Sequence, residues 1–240
     1  MTVEPPSKRP RFDYTYEVAE ATCKRVEGMP PPSGFCKGLI REDSKFEDLI
    51  LNYRPHWPDV PVTLYYPVFA KFVEQLSIIE ITDQDCKSVM KLLDVMSTSY
   101  SVEDKRNDMF RDWLSNYVGL PSAKLALPQT SQCVDIGIMY DANNAKHILL
   151  IGEGKNEMGD GGGCVYTQVC ASYTKFVGAN QDRRIRYGLN PAFVIYFAGP
   201  MLGIGGAVFG RTFTIHPLMH SFTLLPSAHD EESLILVAMH

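Results

Sequence analysis

Two stretches decide the architecture: Cys133-Val134-Asp135-Ile136-Gly137-Ile138-Met139-Tyr140 and, beyond the turn-forming Asp141-Ala142-Asn143-Asn144, the run Ile148-Leu149-Leu150-Ile151-Gly152-Glu153-Gly154-Lys155. In the first, Val134, Ile136, Ile138 and Tyr140 alternate with Cys133, Asp135, Gly137 and Met139, the period of two that marks a strand. The turn residues join it to a returning strand over 147–155, which makes a hairpin. Side chains two apart on a strand project to the same face, so Glu153 and Lys155 share one surface at the end of the second strand. Asp135 is the one charged residue within an apolar run, a costly placement unless the carboxylate is paired, hydrogen-bonded or metal-bound.

Outward from the hairpin, the chain reads as helices and further strands. Upstream, Thr82-x-x-Asp85 resembles a capping box and is followed by Cys86, Val89, Met90, Leu93 and Met96 at helical spacing. Ser101-x-x-Asp104 opens a second helix, with Met109, Phe110, Trp113, Leu114 and Tyr117 on one stripe and Gly119-Leu120-Pro121 at its end. Downstream, the glycine run 159–163 precedes a helix over 165–177 that Gly178 is expected to close. Strands are expected over 192–198, 207–215 and 234–239. The order predicts an α/β (α+β) layered fold, a mixed sheet flanked by helices, occupying residues 61–240. Residues 1–60, broken by prolines in three clusters, are expected to form an irregular tail or wrapping segment. The chain stops inside an apolar stretch, which raises the expectation of more protein beyond His240.

Composition narrows the function. The 240 residues carry a net charge of -5, so contact with nucleic acid must rest on local basic patches and bound cations, not on a general polycation. Two such patches exist: Lys8, Arg9 and Arg11 near the N-terminus, readable as a nuclear-import signal or as a solvated tail, and Lys175, Arg183, Arg184 and Arg186 after the third helix, readable as a phosphate-contacting surface or as a solvated loop. No apolar run is long enough for a membrane span, and the six cysteines form no CxxC pair, which favours reduced thiols in an intracellular setting. His216, His220 and His229 offer a weak metal-ligand spacing and read more simply as surface histidines. The glycine run lacks the Gly-Lys-Ser/Thr ending of a nucleotide-binding loop, so it reads as a turn or hinge.

If the hairpin sets Asp135 beside Glu153, two like charges meet and a hard divalent cation, Mg²⁺ or Mn²⁺, is the natural neutraliser. Lys155 on the same face would then meet the substrate phosphate or the attacking water. The same residues also admit a plainer reading, an ion pair of Lys155 with Glu153 or Asp135 that closes the hairpin.

Asp135 on one strand, Glu153-x-Lys155 at the end of the next and Gln168 on the following helix resemble the PD-(D/E)xK nuclease superfamily, the restriction-endonuclease-like fold. That resemblance implies a metal-dependent nuclease with Asp135, Glu153, Lys155 and Gln168 in the site. It also implies an acidic residue from the preceding helix, best matched by Glu103 and next by Asp108. The run Asn190-Pro191-Ala192-Phe193-Val194-Ile195-Tyr196-Phe197-Ala198-Gly199-Pro200, with Gly205-Gly206-Ala207-Val208-Phe209, further resembles the nuclease-type domain of Crinkler-like effector proteins of fungi and oomycetes. The expectations are hydrolysis of nucleic acid, DNA ahead of RNA, with Mg²⁺ as cofactor, and nuclear action in a host cell. A covalently linked kinase domain would accompany it. The competing expectation is a catalytically silent nuclease fold that binds DNA or a nuclear protein.

Overall fold

A computed structural model describes residues 11–34, 46, 49–51, 60–78, 80–142, 145–180 and 188–225. Its α-helices are α1 (Arg11–Glu27), α2 (Val62–Tyr65), α3 (Pro67–Gln75), α4 (Asp83–Ser97), α5 (Glu103–Val118) and α6 (Val165–Gly178). Its strands are β1 (Ile50–Leu51), β2 (Ser122–Ala126), β3 (Cys133–Ala142), β4 (Ala145–Lys155), β5 (Ala192–Ala198), β6 (Met201–Phe209), β7 (Phe213–Pro217) and β8 (Phe222–Thr223). They form one mixed sheet in the order β1-β7-β6-β5-β4-β3-β2, with β8 added on β6. The β1–β7 and β4–β5 pairs are parallel; the others are antiparallel.

The expected hairpin is the centre of this sheet. β4 and β5 are covered on both faces, which is why 148–151 and 192–198 read as nearly unbroken apolar runs. Joining two parallel strands requires a crossover, and α6 supplies it, packing back on β4 and β5. On its face lies the larger core, including Val169, Tyr173 and Val177 of α6 with Ile151 and Val194 of the sheet. The opposite face is covered by α4 and α5, where Leu93, Met96, Phe110 and Leu114 meet Ile136, Ile138, Ile195 and Phe197. The result is helices, sheet and helices in three layers.

The local chemistry holds at two of the expected helix ends and fails at a third: Ser101 does not cap α5, which begins at Glu103 after Val102 with no side-chain cap, and Asp104 pairs with Lys124 instead. Thr82 and Asp85 form the reciprocal capping box, and Gly119 ends α5 in the left-handed region at φ 72°. The apolar stripes are rotated from expectation: Leu92 joins Leu93 and Met96 inside, while Cys86, Met90, Met109 and Tyr117 are exposed. Expected strand 207–215 is two strands, since a turn at 210–212 folds β6 onto β7. Expected strand 234–239 lies outside the described residues.

Two corrections concern the N-terminal region and Gly178. Residues 11–27, expected to be irregular, form helix α1, because the prolines flank this stretch without entering it; Ala19, Cys23 and Val26 join the larger core. Gly178 does not close α6 but belongs to it, and there it lets α1 come close. A Cβ at this position would stand 2.7 Å from a Val26 methyl. Gly178→Ala therefore forces the two helices apart, with an expected loss of about 1–3 kcal/mol. Urea unfolding checks this, and a midpoint equal to wild type would show that the helices have room to spare.

Candidate functional site

The ends of β3 and β4, the start of α5 and the first half of α6 meet at one place. β3 pairs with β4 through Ile136 opposite Gly152, so one step further toward the sheet's end Asp135 faces Glu153. Their carboxyls are close enough for the charge of Asp135 to bear on Glu153. Glu153 is 2% exposed. From α6, Gln168 Nε2 donates to Glu153 Oε2 at 2.9 Å, and Ser172 Oγ donates to Oε1. The spacing of four residues sets both side chains on one face of α6, toward β4. The backbone N–H of Gly154 donates to Asp135 Oδ2 at 3.2 Å.

From the other side, α5 lays a row of residues at intervals of four along the same strand ends. Glu103 accepts from Lys155 Nζ through both oxygens, at 3.0 and 3.1 Å. Asn107, fully buried, sits against Gly154. Arg111 donates to the backbone carbonyl of Asp135 and pairs with Asp108. The glycine between Glu153 and Lys155 is a condition of this packing: a Cβ there would stand 2.2 Å from Asn107 Oδ1 and 2.4 Å from the Phe197 ring.

A third contact fixes the strand ends. Arg106, 1% exposed, donates to the carbonyls of Met96 at 2.8 Å, Thr98 at 2.8 Å and Gly199 at 3.2 Å, and to Asn156 Oδ1 at 3.3 Å. It pairs with Glu157 at 3.5 Å and stacks its guanidinium 4.9 Å from the centre of the Tyr100 ring. One side chain thus ties the α4–α5 connection to the residues just beyond Lys155 and to the turn after β5.

The electrostatics follow from burial. Desolvation first, and then the charge of Asp135, push the Glu153 carboxyl well above the ordinary carboxylate range, against the downward pull of the Ser172 hydrogen bond and of Lys155. The folded protein therefore holds Glu153 neutral at pH values where the unfolded chain, titrating near its ordinary 4.5, has lost the proton. Below 4.5 both states are protonated and the group contributes nothing. As pH rises above 4.5 the folded state binds more protons than the unfolded one, so stability falls until the folded pKa is reached. In chelator the unfolding midpoint should decline across this window relative to Glu153→Gln, by at most about 1.4 kcal/mol per pH unit. Parallel pH profiles for the two proteins would contradict the burial of an ionisable carboxyl here.

Asp135, Glu153, Lys155, Gln168 and Glu103 are thus brought together, each from the element expected to carry it. Lys155 pairs with Glu103, not with the hairpin carboxylates. Asp108, the second choice on the helix, is an exposed partner of Arg111 and stands apart from Lys155's pairing. Sequence reasoning missed Arg106, Asn107, Arg111 and Ser172. The signal was available in part, since 103, 107 and 111 repeat by four.

Other expectations fare differently. Lys175, expected on a basic surface, is buried at 7% exposure, and that burial lowers its pKa. It lies in the stretch of α6, Val169–Gly178, whose residues are all buried. Arg183, Arg184 and Arg186 lie outside the described residues, as do Lys8 and Arg9; Arg11 begins α1. His216 is a core residue, 2% exposed, whose Nδ1 accepts from the backbone N–H of Val62, while His220 is exposed and His229 is outside the described residues. The glycine run 159–163 forms an exposed turn around a short 3-10 helix, Asp160–Gly162.

Among the described residues, no group of three or more His, Cys, Asp and Glu side chains is arranged to hold a metal ion. Nor does any described helix have the length and apolarity to cross a membrane. Comparison with family models, with curated proteins and with solved structures gives no match for this chain.

Proposed function

We propose that this protein is a divalent-metal-dependent phosphodiesterase that hydrolyses nucleic acid, DNA ahead of RNA, in the manner of the PD-(D/E)xK superfamily. The observation that carries the reading is the convergence of Asp135, Glu153, Lys155, Glu103 and Gln168 on one end of the sheet. The sequence of elements supports it as well: a helix, a three-strand meander with the acidic and Glu-x-Lys residues on its second and third strands, a crossover helix with glutamine, and a parallel fourth strand.

The donor set fits a hard cation. Asp135 and Glu153 are two neighbouring oxygen donors, one of them buried, and repulsion between their charged forms favours neutralisation by a 2+ ion, which typically takes one or two carboxylates from a protein. Asp135 and Glu153 would hold Mg²⁺ or Mn²⁺, which when bound supplies Lewis acidity at a phosphoryl oxygen and a water of lowered pKa. Gln168 and Ser172 fix the orientation of Glu153. Lys155, on the same strand end, is the cation available to a phosphate oxygen or an attacking water, and Glu103 holds its ammonium in place until substrate arrives.

Purified protein incubated with supercoiled plasmid should nick it in Mg²⁺ and leave it intact in chelator. An intact plasmid under Mg²⁺, Mn²⁺ and Co²⁺ alike would remove the hydrolytic assignment. One observation favours a second reading, a silent binding module: both oxygens of Glu153 and the ammonium of Lys155 already have protein partners. DNA binding that survives chelator, with no cleavage under any of these ions, would favour that module.

A further inference from the structure

We infer that Lys124 on the strand β2 is a second phosphate-contacting cation of this site, and that Asp104 holds it, as Glu103 holds Lys155, until a nucleic-acid strand arrives. The inference rests on the nucleic-acid reading above and adds a substrate contact to it. The register of β2 on β3 is the first observation. Ala123 pairs with Gly137 and Leu125 with Val134, so the single residue Lys124 stands opposite two, Asp135 and Ile136. A bulge of this kind re-aims side chains, and bulges gather next to active sites. Across this end of the sheet the order is therefore Lys124 on β2, Asp135 on β3, then Glu153 and Lys155 on β4.

The two lysines are also held alike. Lys124 Nζ donates to Asp104 Oδ1 at 2.7 Å, as Lys155 Nζ donates to the Glu103 carboxylate at 3.0 and 3.1 Å. Glu103 and Asp104 are consecutive residues in the first turn of α5, so one helix end supplies both carboxylates. Each lysine's charge bears in turn on one carboxylate of the proposed metal pair, Lys124 with Asp135 and Lys155 with Glu153. The cations thus flank the two acids from either side.

The Lys124–Asp104 pair can be exchanged at little cost. Its side chains are 41% and 73% exposed, and an ion pair so open to water is weak. A lysine ammonium is a compact point charge with three donors, which suits a phosphate oxygen approaching from solvent. The hydrogen bond from Lys124 lowers the Asp104 pKa, so a full negative charge occupies the place that a phosphate would take. β2 and β4 lie two strand spacings apart, about 9–10 Å. Lys124 therefore serves a phosphate along the backbone from the one at Lys155, and its part is to position the strand over the metal pair.

Salt dependence tests the contact. A short fluorescein-labelled DNA, single-stranded or duplex, is titrated with the protein in chelator, and its anisotropy is followed at several KCl concentrations. One phosphate contact contributes about 0.7 to the slope of log affinity against log salt on a single strand and about 0.9 on a duplex. Lys124→Gln should lower the slope by about that amount and Lys124→Arg should restore it. Asp104→Asn should raise affinity about two- to fivefold by freeing the ammonium, the scale of a surface ion pair. In Mg²⁺, Lys124→Gln should raise KM for cleavage and leave kcat near wild type, the mark of binding shared by ground and transition states. A slope unchanged by Lys124→Gln, or lowered equally by Lys91→Gln at an exposed position of α4, would overturn the contact and leave the hydrolytic reading intact. Affinity unchanged in Asp104→Asn would overturn the part given to that carboxylate. A slope lowered by Lys124→Gln but not by Lys91→Gln, with no cleavage under any divalent ion, would uphold the contact and remove the hydrolysis. Wild-type protein that binds neither form of DNA at low salt would overturn both.

Discussion

Glu153→Ala and Lys155→Ala should each lower Mg²⁺-dependent cleavage by about 10²–10³-fold or more, the loss that follows removal of one preorganised electrostatic partner from a reacting site. Glu153→Ala is expected at the upper end, because it removes a proposed metal ligand and strands the donors of Gln168 and Ser172 that aim at it. Gln168→Ala and Ser172→Ala touch the reaction only through Glu153, so their effect should be smaller, about 10–100-fold, and should be read as weaker metal affinity. Glu103→Gln separates two roles. If Glu103 merely parks Lys155, the variant keeps most activity; if it also supports the metal, the Mg²⁺ dependence shifts to higher concentration. The measurement is the initial cleavage rate against Mg²⁺ concentration for each variant. Rates equal to wild type for Glu153→Ala and Lys155→Ala would contradict the assignment of this cluster.

The largest expected effect on stability belongs to Arg106→Ala, about 3–5 kcal/mol. Removing one partner of a buried charge network costs about this much, and here the carbonyls of Met96, Thr98 and Gly199 would lose their donor as a large side chain vanishes from the interior. Arg106→Lys should recover only part of the loss, since an ammonium reaches one or two of these carbonyls while the guanidinium fork reaches all three. Urea unfolding of both variants against wild type provides the check, and a loss below about 1 kcal/mol for alanine would show that the clamp is dispensable. The same residue links stability to the site, because its contacts to Asn156 and Glu157 fix the chain just past Lys155. Arg106→Lys should therefore lower cleavage more than its stability loss explains.

The legibility of this molecule in its sequence was uneven for physical reasons. The hairpin could be read because alternation, turn chemistry and a lone carboxylate agree over twenty residues, and β5 because a strand covered on both faces leaves a continuous apolar run. Glu103 was found through family likeness alone; nothing local distinguishes it from Asp104, and its role comes from where α5 crosses β4. Ser172 carried no signal of its own, because a serine within a helix says nothing until the face it lies on is seen to meet a buried carboxylate. Arg106 could not be found from pattern, since an arginine on a polar helix start looks solvated until the α4–α5 turn and the β5 end close around it. Lys175 failed in the reverse direction: a charge near a basic run suggests surface, yet α6 is buried on every side from Val169 to Gly178. Helix α1 was missed because prolines on both sides concealed a proline-free interval long enough for its seventeen residues.

The central claim is that Asp135 and Glu153 together hold a divalent ion, and anomalous diffraction from crystals soaked in Mn²⁺ tests it most directly. A single strong peak within bonding distance of both carboxylates, absent in Glu153→Ala, is the predicted result. No peak there at saturating Mn²⁺, or a peak held by other residues and unaffected by Glu153→Ala, would contradict it.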